Sequence, residues 1–279
     1  MTQNFKLILL KFYVIIILIK GVKKMANLYA MTDLHGCYKL WEKAKLFFKK
    51  DDLIYYLGDA LDRGPQSIQL FYALMEDSKV IFLKGNHEDL FYKEALKALE
   101  FCKSCSFSIE DYFYSIPDNF WFLNGGDQTF EQMNLNNFMY IFNAIKNMPN
   151  SINIINKNKQ ILMLSHAGTH PTYTQKELLK VEKFAGGPPL LWDREHILRN
   201  WPDDEKYKNT YIIHGHTPVY YAKKMLYNPF LNQYDCEEDN GIIKYCNGHK
   251  FNLDMMSWET HMCVIFNLNT LKVEQIIKE

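Results

Sequence analysis

Gly58-Asp59-Ala60-Leu61-Asp62-Arg63-Gly64 follows directly on the apolar run Leu53 to Leu57. A short continuous apolar run is the signature of a buried strand, and this one ends in two carboxylates and an arginine. Charge gathered at the end of a core strand is costly unless it is paired or used, so the stretch reads as a site. Each fixed letter of GDxxDRG occurs about once in twenty positions, so a chance match in a chain of this size is on the order of one in ten thousand.

Two further strings stand in the same kind of place. Asp33-Leu34-His35-Gly36 ends the run Leu28 to Met31, and Gly85-Asn86-His87-Glu88 ends the run Val80 to Leu83. Later, Gln160 to Leu164 runs into Ser165-His166-Ala167-Gly168, and Tyr211 to Ile213 runs into His214-Gly215-His216-Thr217-Pro218. Five apolar runs thus end in candidate ligands: Asp33 and His35, Asp59, Asn86, His166 and His216. In open α/β sheets ligands gather beyond the carboxyl ends of the strands, so these distant segments are expected to converge on one site. Carboxylate, amide and imidazole donors without a thiol suit manganese, iron or zinc better than calcium. Asp59, central in the order, is the natural bridge between two cations. His214 and His216 both fit a ligand role from the string alone.

The rest of the chain bounds the function classes. Its 279 residues, 48% hydrophobic, can bury a substantial core. Lysine plus arginine equals aspartate plus glutamate at 32 each, so no charge excess points to nucleic acid as partner. Six dispersed cysteines in a chain this long fit free thiols in a reducing, cytoplasmic setting. Cys102 and Cys105, with Cys236, Cys246 and His249, form a weaker zinc option whose spacing matches no standard finger.

Leu7 to Ile19 is apolar but for Lys11 and is flanked by Lys6, Lys20, Lys23 and Lys24. It is shorter than the ~20 residues that span a bilayer. Residues 1–24 are therefore a hydrophobic extension with three readings: an anchor tethering the protein through residues 5–20, a surface-packed extension, or a segment upstream of a start at Met25. A membrane is a partner only under the first. Residues 25–279 are expected to form one domain.

From Asn27, strands alternate with helical spacing, as in Leu40, Ala44, Phe47 and Phe48, then Ile68, Phe71, Tyr72 and Met75, which argues for an α/β layer fold. A third helix is expected from Asp89 to about Phe101. Residues 102–150 break the rhythm with crowded aromatics and an apolar helix face of Leu135, Phe138, Met139, Phe142 and Ile145, a helical insertion beside the site or simply packed core. Ser151 to Asn156 and Gln160 to Leu164 read as a hairpin. The runs at 242–245, 251–253, 262–266 and 273–277 read as strands of a second sheet layer.

In this order and spacing the strings resemble the phosphoprotein phosphatases, calcineurin-like metallophosphoesterases that carry GDxHG, GDxxDRG and GNHE, and most closely their small bacterial and phage serine/threonine members. The likeness runs from about Asn27 to Ile277 and includes an NGG turn at Asn124-Gly125-Gly126. It implies a two-layered β-sandwich flanked by helices. It implies two divalent metal ions, one on Asp33, His35 and Asp59, the other on Asn86, His166, His216 and Asp59, with GHTP favouring His216 over His214. Such a pair, about 3.5–4 Å apart, activates water and positions phosphate for in-line attack by metal-bound hydroxide. Arg63, Asn86 and Arg194 would hold the phosphate, although WDRE around Arg194 also reads as a salt-bridged helix start. His87 would be the general acid and Asp62 its charge partner.

The chain departs from the pattern at Thr32, where the family has glycine, and at Asn252-Leu253-Asp254-Met255-Met256, where many relatives have IDTG. The second change bears on substrate choice more than on chemistry. The expected activity is hydrolysis of phosphate monoesters, foremost as a serine/threonine protein phosphatase. The rival is a symmetrical bis(5'-nucleosyl)-tetraphosphatase. A non-catalytic scaffold is the third reading, and the presence of every expected group opposes it.

Overall fold

The computed structural model describes residues 27–105, 107–178 and 188–279. The apolar N-terminal run and the choice between Met1 and Met25 lie outside the described residues. No helix among the described residues is long and apolar enough to cross a membrane.

The first three apolar runs become parallel strands, β1 (Leu28–Met31), β2 (Leu53–Tyr56) and β3 (Val80–Phe82), with Tyr29 opposite Ile54 and Tyr55 opposite Ile81. Parallel neighbours need crossovers, which α1 (Tyr38–Ala44) and α2 (Ser67–Glu76) supply. Successive side chains point to opposite faces. Tyr29, Met31, Ile54 and Tyr56 therefore pack on the helices, while Ala30, Tyr55, Leu57 and Leu83 face a second sheet. Both faces are buried, which is why these runs show no polar alternation.

The second sheet begins with the expected hairpin, β4 (Ser151–Ile155) and β5 (Ile161–Ser165). Asn156 fastens its turn by accepting from the backbone N–H groups of Asn158 and Gln160, each at 3.0 Å. β6 (Thr210–His214) lies parallel to β5. After a two-stranded ribbon of β7 (Tyr227–Asn228) and β8 (Gln233–Tyr234), the strands β9 (Cys236–Asp239), β10 (Ile242–Tyr245) and β11 (Lys250–Asn252) complete the order β4-β5-β6-β11-β10-β9. Its outer face is covered by Ala222 and Leu226 of the helix Val219–Met225 and its end, and by Ile197.

The last two strands correct the sequence reading. β12 (Met262–Asn267) and β13 (Lys272–Lys278) join the first sheet, β12 antiparallel to β1, giving the order β13-β12-β1-β2-β3. Cys263 and Ile265 pack on the helix side and Val264 and Phe266 in the sandwich, so β12 has the two apolar faces of an inner strand. Chain order alone does not say which sheet edge such a strand joins.

Two helices also differ from expectation. α3 spans Asn86–Ser104, beginning three residues early because the Glu88 carboxylate accepts from the Gly85 N–H at 2.8 Å and closes a capping box. The insertion forms α4 (Ile109–Ser115), α5 (Gly126–Glu131) and α6 (Leu135–Lys146), and the buried face of α6 is Asn137, Phe138, Ile141 and Ile145, with Leu135 exposed at its first turn. Phe91 of α3 meets the rings of Trp121 and Phe138 at 5.2 and 5.4 Å. Each such fully buried ring contributes about 1.5–3 kcal/mol, enough to dock the insertion on α3.

Candidate metal centre

The carboxyl ends of β1, β2, β3, β5 and β6 open on one side of the sandwich, and the loops that follow them are tied together. The N–H groups of Asp33, His35 and Gly36 donate to the carbonyls of Gly58, Asp59 and Ala60 at 2.9–3.1 Å. Asp33, His35, Asp59, Asp62, Arg63 and His216 all have positive φ, between 40° and 71°. That conformation is uncommon for residues other than glycine and clusters at functional sites. It turns the chain sharply after β1, β2 and β6, so that neighbouring ligand side chains share one space.

Asp59 is the centre of that space. Its Oδ2 lies 3.5 Å from His35 Nε2, 3.3 Å from His166 Nε2 and 3.9 Å from His87 Nε2. Two groupings with metal-holding geometry share it: His35, Asp59 and His87, and Asp33, Asp59 and His166, all buried. His87 falls within reach of the first grouping, but its Nδ1 is bonded to Asp62 and its Nε2 to Arg63. The second gains its amide and second imidazole from Asn86 Oδ1, which is 2.7 Å from His166 Nε2 and 2.8 Å from His216 Nδ1. His214, the competing histidine, turns the other way and takes a hydrogen bond from the Tyr245 hydroxyl at 2.7 Å.

Whether these residues fit a cation is decided by donor chemistry. His166 Nδ1 donates to the Leu57 carbonyl and His35 Nδ1 to the Leu61 carbonyl, both at 2.9 Å. That fixes the lone pair of each ring on Nε2, facing the centre. A neutral His166 would set Nε2 against Asn86 Oδ1 and Asp59 Oδ2, acceptor against acceptors, so the place calls for positive charge, a proton on the ring or a cation in its stead. Burial alone would lower the His166 pKa, but the Asp59 and Asp33 carboxylates overcome it and raise it to about 9. Asp33 itself is pushed well above the usual carboxylate range by burial and by the charges of Asp254 and Asp59. The residues fit divalent cations.

The cysteine set does not assemble: neither grouping among the described residues contains a thiol, and all six cysteines are free.

Beside the centre, His87 Nδ1 donates to Asp62 Oδ2 at 2.8 Å, while Arg63 donates through Nη2 to His87 Nε2 at 2.9 Å and through Nη1 to His35 Nε2 at 3.0 Å. Arg194 donates through Nε to Thr217 Oγ1, next to His216, at 3.2 Å. Burial, and then the charge on Arg63, lowers the Arg194 pKa. Thr32, in place of glycine, donates to Asp33 Oδ2 at 2.5 Å.

The calcineurin-like phosphoesterase family matches residues 26–251. The chain belongs to the calcineurin-like phosphoesterases. This phosphoesterase is 28% identical over 200 residues to serine/threonine-protein phosphatase 2 of Escherichia coli (strain K12), covering 68% of this chain and 79% of that protein. It is 27% identical over 207 residues to the asymmetrical bis(5'-nucleosyl)-tetraphosphatase PrpE of Geobacillus sp. (strain WCH70), covering 67% and 77%. A solved serine/threonine phosphatase from Saccharomyces cerevisiae has the same fold, with a TM-score of 0.52 and 14% identity over 91% of this chain and 80% of that one. The fold and family expectations of the sequence therefore hold.

Sequence reasoning gave no role to several residues that build the site of this phosphoesterase. Glu88, inside the GNHE string, accepts from the backbone N–H groups of Asp59, Ala60, Leu61 and Gly85 at 2.8–3.2 Å, so one carboxylate shapes the ends of β2 and β3 together. Trp121 and Thr129 of the insertion donate to the Asp62 carboxylate at 3.0 and 2.8 Å. Gly85 and Gly215 have no room for a side chain: a Cβ would come within 2.1 Å of Asp59 Oδ1 and 1.9 Å of Asp33 Oδ2, respectively. Asp254, at the end of β11, is buried with its Oδ2 facing no donor, and burial raises its pKa to about 6. Trp258, just beyond it, covers Arg63. The Glu88 and glycine positions stood in quoted strings; no local signal marked Trp121, Thr129 or Trp258.

Proposed function

We propose that this phosphoesterase hydrolyses phosphate monoesters, acting as a protein phosphatase on phosphoserine or phosphothreonine, with two divalent cations, manganese foremost. Asp33, His35 and Asp59 would hold one, and Asp59, Asn86, His166 and His216 the other. Bound there, such cations supply Lewis acidity and water activated near neutral pH.

The observation that carries the reading is the file Asp62–His87–Arg63 beside Asp59. His87 begins a helix and is locked by Asp62, so its Nε2 edge faces the centre. A proton held at that atom is delivered to the leaving oxygen as the ester bond breaks. Asp62, itself held by Trp121 and Thr129, keeps the ring from rotating away. Arg63 and Arg194 neutralise the phosphoryl oxygens with planar, two-pronged donors, and the Asn86 amide nitrogen adds a further one.

The relative named bis(5'-nucleosyl)-tetraphosphatase supports a second reading, cleavage of dinucleoside polyphosphates by the same centre. The two arginines at the site match one phosphoryl dianion better than a polyphosphate chain, which favours the monoester.

The test is phosphate release, after stripping and reloading with manganese, from a phosphoserine peptide and from diadenosine tetraphosphate side by side. Faster release from the peptide is expected; preference for the dinucleotide would transfer the protein to the second reading. Release from neither, with metal demonstrably bound, would overturn the roles given to His87 and the arginines or the choice of substrate class.

A further inference from the structure

Arg63 is held in three ways. Its backbone N–H donates to the Gly125 carbonyl at 3.0 Å, its two terminal nitrogens reach His35 and His87, and its guanidinium lies against the indole of Trp258, with Cζ 4.1 Å from the ring centroid. The same indole stands edge-on to the His35 ring at 4.7 Å and 85°. Trp258 is placed by a short helix, Ser257–Thr260, that is pinned from both sides. Upstream, the Met256 N–H donates to Asp254 Oδ1 at 2.8 Å; downstream, the His261 N–H donates to the Ser257 carbonyl at 2.9 Å, one residue before β12 begins. Met256 and His261 both have positive φ, 60° and 53°, so the chain reverses sharply on entering and leaving this helix as it passes from β11 of one sheet to β12 of the other.

Two of the three restraints on the guanidinium end cannot last through a catalytic cycle. On the function proposed above, His35 Nε2 belongs to a cation and the terminal nitrogens of Arg63 must turn from the two imidazoles to the phosphoryl oxygens, so neither of these bonds holds the guanidinium when phosphate is bound. The indole, which also packs against the His35 ring and the core, ligates nothing and keeps its contact with the guanidinium. We infer that Trp258 is a positioning residue that holds the Arg63 guanidinium in plane for phosphate once His35 and His87 are engaged. A free arginine side chain loses rotamer freedom on binding phosphate, and a stacked one has lost it beforehand. Trp258 stands two residues beyond Met256, the end of the stretch that departs from the IDTG pattern.

The inference rests on Arg63 binding phosphate, and the experiment separates the two. In the manganese-reloaded full chain, affinity for inorganic phosphate is measured by calorimetry, and KM and kcat are measured with a phosphoserine peptide, for Trp258→Ala, Trp258→Phe, Arg63→Ala and the double variant Arg63→Ala/Trp258→Ala. Trp258→Ala is expected to weaken phosphate binding and raise KM about fivefold, the ratio a cation–π contact of about 1 kcal/mol supports. The change in kcat is expected to be smaller, Trp258→Phe should recover most of the loss, and on the Arg63→Ala background the Trp258 effect should vanish. An effect of equal size on both backgrounds, or none in either, overturns the positioning role while leaving Arg63 as phosphate ligand. Unchanged phosphate affinity in Arg63→Ala overturns the Arg63 assignment and the inference together. Melting temperatures of the Phe and Ala variants distinguish lost positioning from lost folding, since only a folding defect lowers both melting and kcat.

Discussion

Replacing Glu88 by glutamine keeps the shape of a side chain that is fully buried and changes the character of one end atom. In the native protein Oε2 accepts from the N–H groups of Asp59 and Gly85 at 2.8 Å each, and Oε1 from those of Ala60 and Leu61 at 2.9 and 3.2 Å. An amide nitrogen in either place faces two N–H donors with donors of its own. Whichever way the amide turns, two buried backbone N–H groups lose their acceptor, at about 1–3 kcal/mol each. The expected loss is about 3–4 kcal/mol. For a domain of this size that lowers the melting temperature by about 10 °C. The assay is urea unfolding of the metal-free protein, because cations that bind only the folded state would mask part of the change. A Glu88→Gln variant within about 0.5 kcal/mol of the native protein would refute the assignment of Glu88 as the fastener of the two strand ends.

His87→Asn is expected to retain metal, measured by elemental analysis, while turnover on a poor leaving group falls by about two to four decades, the usual scale for a lost general acid. Thr129→Val removes the hydroxyl that donates to Asp62 Oδ1 and accepts from the Asp62 N–H, both at 2.8 Å. It should cost about 2 kcal/mol in urea unfolding and lower kcat more than it raises KM, since Thr129 holds Asp62, the partner of the acid, and not a phosphate ligand. Lys250 is fully buried, donates to the His196 carbonyl, and has its pKa lowered to about 8 by burial. Between about 8 and the unfolded value of 10.5 the unfolded chain binds more protons, so this group adds stability as pH rises. Between pH 7.5 and 9.5 the native protein should gain about 2 kcal/mol relative to Lys250→Met in paired unfolding curves, and parallel curves would argue against the shift.

The strand ends were legible because two constraints coincide there. A parallel strand buried on both faces must be apolar throughout, and its ligand must be polar, so the boundary at Leu57–Gly58 or Leu83–Lys84 is abrupt in the sequence. The sheet membership of β12 was not legible, since Met262 to Phe266 satisfies the packing of either layer and pairing with β1 depends on contacts more than 200 positions away. Trp121 and Thr129 were hidden for a related reason. An indole or a hydroxyl in an aromatic-rich helical region reads as core, and only the fold shows that the core there ends on the Asp62 carboxylate.

Backbone strain connects these levels. A left-handed conformation costs a residue with a side chain roughly 1–2 kcal/mol, and glycine avoids that cost. At Asp33, His35, Asp59, Asp62, Arg63 and His216 glycine is no remedy, because the residue that must take the turn is also the one that must supply the donor or the charge. The strain is therefore tied to the chemistry, and it is offset nearby by bonds such as those of Glu88 to four N–H groups. Met256 and His261 share the conformation, and neither holds a place in the metal groupings, so glycine there would serve the backbone better. The same conformation recurs at Lys159, Cys246 and Leu271 away from the site, so at Met256 and His261 it marks the two reversals around the short helix that carries Trp258, whereas at the six site residues the donor itself takes the turn.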